Sequence, residues 1–226
     1  MFIYDSTYLL LIPAILISMW AQTKVNSTFN KYVRIKSYRG YNGAEAARMI
    51  LDSNGLTNVN IELTRGRLSD HYDPSKMVLR LSSDVYYGTS LASIGVAAHE
   101  CGHAIQHKVG YGPLKLRSAS VPLANVGSNL SWIIFLLGLV FSIQPLVTAG
   151  IVLFSAVVIF QLITLPVEFD ASARALQQIR TAGILYDDEI VGAKKVLDAA
   201  AMTYIAAAIM AISQLIRLIA ISRRDD

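Results

Sequence analysis

With one cysteine, Cys101, the chain can form no intrachain disulfide, and a reducing compartment is compatible with it. Charge is scarce as well. Asp, Glu, Lys and Arg make up 16% of the residues, where an ordinary soluble domain carries about a quarter. Internal repeats, low-complexity tracts and phosphate-cradling glycine loops are missing. The net charge of +4 comes from scattered basic residues with no accompanying aromatic-basic motif, which argues against a nucleic-acid partner.

Long apolar runs are what the chain has instead. Hydrophobic residues make up 54% of it and the mean hydropathy is +0.45, the profile of several membrane helices plus one modest polar domain. Of its 20 Lys and Arg residues, 13 fall between Lys24 and Arg117. Such an excess beside apolar spans marks the cytoplasmic side.

Within this basic stretch lies Val96-Ala97-Ala98-His99-Glu100-Cys101-Gly102-His103-Ala104-Ile105-Gln106-His107, which reads as helix. His99 and His103 are four residues apart and project from one face, where two neutral imidazoles can take two corners of a tetrahedral zinc ion. Glu100 lies close enough to that face to act on a metal-bound water without ligating the metal. Small neighbours (Ala97, Ala98, Gly102, Ala104) leave room for metal and substrate. Cys101, about 200° around the helix from His99, reads as a buried small hydrophobe.

Tyr8 to Ala21, extended by Phe2-Ile3-Tyr4, approaches the length of a membrane span. Basic residues follow it, no basic residue precedes it, and Trp20-Ala21-Gln22 is a poor cleavage site. An uncleaved anchor with its N-terminus outside is expected. Asn42 to Leu51 reads as a capped helix ended by Asn54-Gly55. Leu56–Thr64 and Met77–Ser82 read as strands, with Asp73-Pro74 as a turn between them. The second of these, just before the zinc helix, reads either as an edge offered to an extended substrate or as an ordinary sheet strand. The zinc helix itself is expected over Leu91 to Lys108.

Leu130 to Ile143, extended back to about Val121, and Leu146 to Leu165 form a hairpin of two spans turning at Gln144-Pro145. A new helix is expected to start at Pro166. Glu168, two residues on, reads in two ways: as an acidic residue complementing a helix N-terminus, or as a third zinc ligand. The hairpin returns it to the membrane face of His99 and His103, and other donors are few. His71 and His107 are the remaining histidines, and Asp170 lies about 200° around the helix from Glu168. The longer metzincin pattern is excluded, since Gln106 and Val109 occupy the required Gly and His places. Tyr186-Asp187-Asp188-Glu189 begins a last helix, with Asp187 or Asp188 as its cap, running on to Ile221 as a fourth span.

Asp73-Pro74, His99-Glu100-Cys101-Gly102-His103-Ala104-Ile105-Gln106 and Leu165-Pro166-Val167-Glu168-Phe169-Asp170-Ala171-Ser172 stand in this order around a transmembrane hairpin. Together they resemble the YugP-like neutral zinc membrane peptidases of bacteria over nearly the whole chain. More distantly they resemble the HtpX-type and CAAX-processing membrane metallopeptidases. The resemblance implies Zn2+ held by His99, His103 and Glu168, with Glu100 as general base. The distant relatives carry an Asp four residues past the ligand Glu, where this chain has Ser172. Asp170 and Ser172 are therefore candidates for bracing a ligand, and His71, Tyr72 and Arg174 for steadying the oxyanion.

The expected fold is a mainly α membrane protein with about four transmembrane helices and a small α+β zincin-like domain, which carries the His-Glu-x-x-His helix and a short sheet. The expected layout is an N-terminal transmembrane anchor (1–23), a cytoplasmic zincin-like domain (24–120), a transmembrane hairpin (121–165), a helix with the third ligand and the segment after it (166–198), and a C-terminal apolar helix (199–226). The expected activity is a zinc metalloendopeptidase of the bacterial inner membrane, multi-pass, with its site on the cytoplasmic side, acting on membrane or membrane-adjacent proteins. A non-catalytic zinc-binding scaffold or chaperone is the alternative. An intramembrane protease is disfavoured, because the motif is flanked by Ser82-Ser83-Asp84 and His107-Lys108 with only about fourteen weakly apolar residues between them, too few to cross.

Overall fold

The computed structural model describes residues 6–223, so Phe2-Ile3-Tyr4, counted above toward the first span, lie outside the described residues. After a 3-10 turn at Ser6–Leu10 come α1 (Ile12–Tyr32), α2 (Gly43–Ser53), β1 (Asn60–Thr64), β2 (His71–Asp73), β3 (Val78–Ser82) and α3 (Ser83–Tyr86). Then follow α4 (Leu91–Lys108), α5 (Gly112–Val140), α6 (Gln144–Thr181) and α7 (Asp187–Ser222). The protein is mainly helical with one small three-stranded sheet. Four helices are long and apolar enough to cross a membrane: Thr7–Tyr32, α5, α6 and α7.

The chain divides into two compact units. The apolar unit comprises the described residues up to Gln22, Lys115–Pro166 and those from Met202 onward. Its core is Phe135, Val147, Phe154, Val158, Ala211 and Leu218, with Trp132 and Leu215 packed against them. Backbones approach closely there: a Cβ on Gly127 would lie 2.6 Å from the carbonyl oxygen of Leu153, so only glycine lets α5 and α6 meet at that point. Outward, the unit shows Leu16, Met19, Leu123, Ile133, Leu137, Val152, Ile159 and Leu162. An apolar surface of that extent is what a lipid-facing protein displays.

The polar unit comprises Thr23–Leu114 and Val167–Ala201. Amphipathic α2 buries Ala46, Ala47, Ile50 and Leu51 in the same core as Ala97, Ala98, Cys101 and Ala104 of α4. Asn42 caps α2 as expected and forms a full capping box with Glu45. In the sheet β3 is central, with β1 parallel on one side and β2 antiparallel on the other.

Several local expectations need correction. The strand that precedes α3 and α4, β3, is not an edge, because both its sides are paired. The edge strands are β1 and β2, and β2 at three residues is too short to leave a periodic trace in the sequence. Pro166 does not start a helix. It lies inside α6, which runs unbroken for 38 residues and forgoes the hydrogen bond that Pro166 cannot donate. The hairpin turns at residues 141–143, ahead of the expected Gln144-Pro145, with Ser142 in the left-handed region (φ +54), and α6 begins at Gln144. Neither Asp187 nor Asp188 caps α7. Instead Glu189 reaches back to accept the Tyr186 N–H at 2.9 Å and also takes the Tyr38 N–H at 2.7 Å.

Candidate metal centre

Helix α4 spans Leu91–Lys108 as its periodicity predicts. Ser90 caps it by accepting the Ser93 N–H, and the Ser93 hydroxyl in turn donates to the Asp84 carbonyl. Its buried face of Ile94, Ala97, Ala98, Cys101, Ala104 and Ile105 fixes its rotation. Cys101 is fully buried with its thiol toward the Ala47 carbonyl, and burial pushes that thiol well above its ordinary pKa. The opposite side carries His99 and His103, their ring centroids 4.8 Å apart and nearly perpendicular.

Glu168 comes to these rings from α6. Its Oε2 lies 3.3 Å from His99 Nε2 and 3.5 Å from His103 Nε2, and its side chain is 3% exposed. Donors bound to one tetrahedral zinc at about 2.0–2.1 Å are spaced about 3.3–3.4 Å from one another. The two measured separations match that edge, and all three ligand atoms lie within 4.8 Å of one another. Two imidazoles and one carboxylate are also the donor set zinc takes in hydrolytic sites. The residues therefore fit the metal.

Close approach of the two helices depends on Gly102. A Cβ there would stand 2.4 Å from the Ala171 carbonyl oxygen, so any larger residue would push α6 away from the motif.

The outward nitrogens of both rings are held. His99 Nδ1 meets the Ser172 hydroxyl at 3.1 Å. His103 Nδ1 meets Gln106 Oε1 at 3.0 Å, and Gln106 is fully buried. The Gln106 amide can face only one way. Its Nε2 donates to the Val167 carbonyl and to Asp170 Oδ2, both at 2.8 Å, which leaves Oε1 as an acceptor and makes His103 Nδ1 the donor. In the neutral imidazole Nε2 of His103 is then the nitrogen that carries no proton, the state in which it can bind a metal. Arg174 Nε holds the same Asp170 oxygen at 2.6 Å, and its guanidinium lies over Tyr111.

Burial alone would lower the pKa of His103. The Glu168 hydrogen bond and the negative charges of Glu100 and Glu168 outweigh it and raise that pKa above the ordinary histidine value. The same negative surroundings favour a divalent cation.

Of the residues singled out from sequence, the structure brings His99, Glu100, His103, Glu168, Asp170, Ser172 and Arg174 into one neighbourhood. Ser172 pairs with His99. Asp170 acts on His103 through Gln106, a link the sequence reading missed. His71 is elsewhere occupied: exposed on β2, it engages Ser69 O at 2.8 Å and Arg80 at 3.5 Å. The Tyr72 hydroxyl engages His107 at 3.0 Å and Met77 at 3.2 Å. Gln106 carried one sequence signal, a polar residue three past His103 and so one turn along the same face.

A family model described as "Putative neutral zinc metallopeptidase" matches residues 7–223. The "Putative membrane protease YugP" of Bacillus subtilis (strain 168) is 50% identical over 219 residues, which cover 96% of this chain and 97% of that protein. No solved structure matches.

Proposed function

Since this chain belongs to the family described as putative neutral zinc metallopeptidases, we propose that it is a membrane-embedded zinc endopeptidase whose metal is held by His99, His103 and Glu168 and whose general base is Glu100. One observation carries the reading: Nε2 of His99 and Nε2 of His103 converge on a single Glu168 oxygen at the spacing of a zinc coordination edge. The polar unit, with a helix bearing both histidines beside a three-stranded sheet, supports a zincin-like reading of that part.

When bound, zinc polarises a peptide carbonyl and brings the pKa of a water to about 7. The chain's own residues do the rest. Glu100, one residue past His99 and 8% exposed, takes a proton from the attacking water on its carboxylate and returns it to the departing amine. Gln106 sets the tautomer of the His103 ring, and Ser172 and Gln106 hold the two rings in the orientation that directs Nε2 inward. The basic stretch from Lys24 to Arg117 supports a site on the cytoplasmic side. Substrates are membrane or membrane-adjacent proteins, since Glu168 follows an apolar run of α6 directly.

Purified protein in lipid vesicles tests this through metal content and casein cleavage. One zinc per chain, with cleavage abolished by chelator and restored by zinc, is expected. Glu100→Gln should keep the zinc and lose turnover by about 100-fold or more. Retained cleavage in that variant would contradict the assignment. Zinc without cleavage in the unaltered chain would favour the scaffold.

A further inference from the structure

The apolar unit contains a cavity of about 460 Å³ lined by side chains from α1, α6 and α7, among them Ser18, Gln22, Phe154, Gln161, Met210 and Gln214. Three primary amides in one cavity are unexpected in a unit whose outer surface is apolar. The Ser18 hydroxyl already donates to the Ala14 carbonyl at 2.8 Å. Among the described residues, the side-chain amides of Gln22, Gln161 and Gln214 have no hydrogen-bond partner. Each offers two donors and an acceptor. Gln22 is exposed and Gln161 and Gln214 are partly buried; within a membrane span such groups are costly to leave unmet, because hydrocarbon supplies no partner.

The chemistry of the missing partner follows. A regular transmembrane helix satisfies its own backbone internally and has nothing to give. Ester carbonyls of a lipid offer acceptors only. A peptide stretch that has lost its helical hydrogen bonds presents both free N–H and free C=O groups, the full complement of what three amides require. The volume falls within the range of pockets for small ligands, ~300–1,000 Å³, which admits a short segment rather than a whole helix. Gln161 also precedes Glu168 by about two turns of chain within the continuous α6.

We propose that this cavity binds a locally unwound stretch of a substrate's transmembrane segment, the amides of Gln22, Gln161 and Gln214 pairing with its free backbone groups. This rests on the peptidase reading above and names its substrate class: proteins whose spans carry helix-breaking residues.

The test reads binding rather than turnover. The Glu100→Gln protein, with a photoreactive benzoylphenylalanine replacing Met210, is placed in phosphatidylcholine–phosphatidylglycerol vesicles. Two probe peptides are compared, an unbroken Leu/Ala span of about twenty residues and the same span with Gly-Pro at its centre. The Gly-Pro peptide should be labelled about fivefold more or better, the ratio worth about one net hydrogen bond. Gln161→Leu with Gln214→Leu should bring its labelling down to that of the unbroken span, and Gln161→Asn with Gln214→Asn should restore part of the difference. Equal labelling of the two peptides by the cavity with its three glutamines intact, or labelling of lipid alone, overturns the proposal. That comparison of two peptides uses one protein preparation, so it does not depend on the folding of the glutamine variants. Cleavage of casein with equal labelling would sink the cavity and spare the peptidase reading; selective labelling with no cleavage of any substrate would do the reverse.

Discussion

The apolar and polar units are built from shared helices, α1, α6 and α7 contributing to both; each pairs buried polar groups, as Arg217 with Thr7 in the apolar unit, yet their chief polar clusters differ. In the polar unit, buried polar groups are joined into networks: Gln106 to His103, Val167 and Asp170, Glu189 to Tyr38 and Tyr186, Ser90 to Ser93. In the apolar unit, three amides face an open cavity without partners among the described residues. A closed network holds a fixed geometry, which is what metal ligation requires. An open set of donors and acceptors is suited to an occupant that comes and goes.

The largest effect should come from the converging donors themselves. Glu168→Gln or His103→Ala should weaken zinc binding by more than the 10–100-fold typical of losing a group behind a ligand, read by chelator competition. Gly127→Ala, a substitution in the apolar unit, should leave zinc affinity unchanged; a large drop there would erase the distinction between the units. Gln106→Leu comes next, at about 10–100-fold, because His103 then loses the acceptor that fixes its tautomer. If zinc affinity is untouched, Gln106 is merely a packing residue.

Glycine provides a matched pair. Gly102→Ala forces a contact with Ala171 and Gly127→Ala one with Leu153, each against a carbonyl oxygen. Both should cost about 1–3 kcal/mol of stability, as overpacked sites do. Gly102→Ala alone should also lower zinc affinity, because α6 carries Glu168. Thermal shift with and without zinc separates the two outcomes: a zinc-dependent increment that shrinks for Gly102→Ala and stays constant for Gly127→Ala.

What was legible in the sequence was local. His99, Glu100 and His103 share one helix and one spacing, and the capping of α2 needs only Asn42 and Glu45. Glu168 required one further step, the return of the chain through the hairpin. Gln106 was missed because nothing in a sequence distinguishes a buried glutamine from a solvated one. Pro166 misled, because proline statistics favour a first turn while the surroundings of a long helix can tolerate one lost hydrogen bond. The three residues of β2 left no alternation to detect, and so the central place of β3 was hidden as well.

The smallest effect lies at the end of β2, in the polar unit, where a carboxylate does for a turn what Gln106 does for the metal centre. Asp73 Oδ1 accepts from the Ser75 hydroxyl at 2.6 Å, the Ser75 N–H at 3.0 Å and the Lys76 N–H at 3.3 Å, while Oδ2 faces Arg80. The Ser75 hydroxyl bond is the chief cause that lowers its pKa, which falls to about 2. A depressed carboxylate stabilises the fold above its ordinary pKa, near 4, and that contribution fades as pH falls through about 2. Asp73→Asn should therefore speed amide exchange at Ser75 and Lys76, relative to intrinsic rates, at pH 5–7. The gap between variant and parent should close as pH drops from about 4 toward 2, since the parent's own carboxylate is then protonated. A gap that persists unchanged at the acid end would mean that the turn is held by its backbone geometry and that the charge on Asp73 contributes nothing to it.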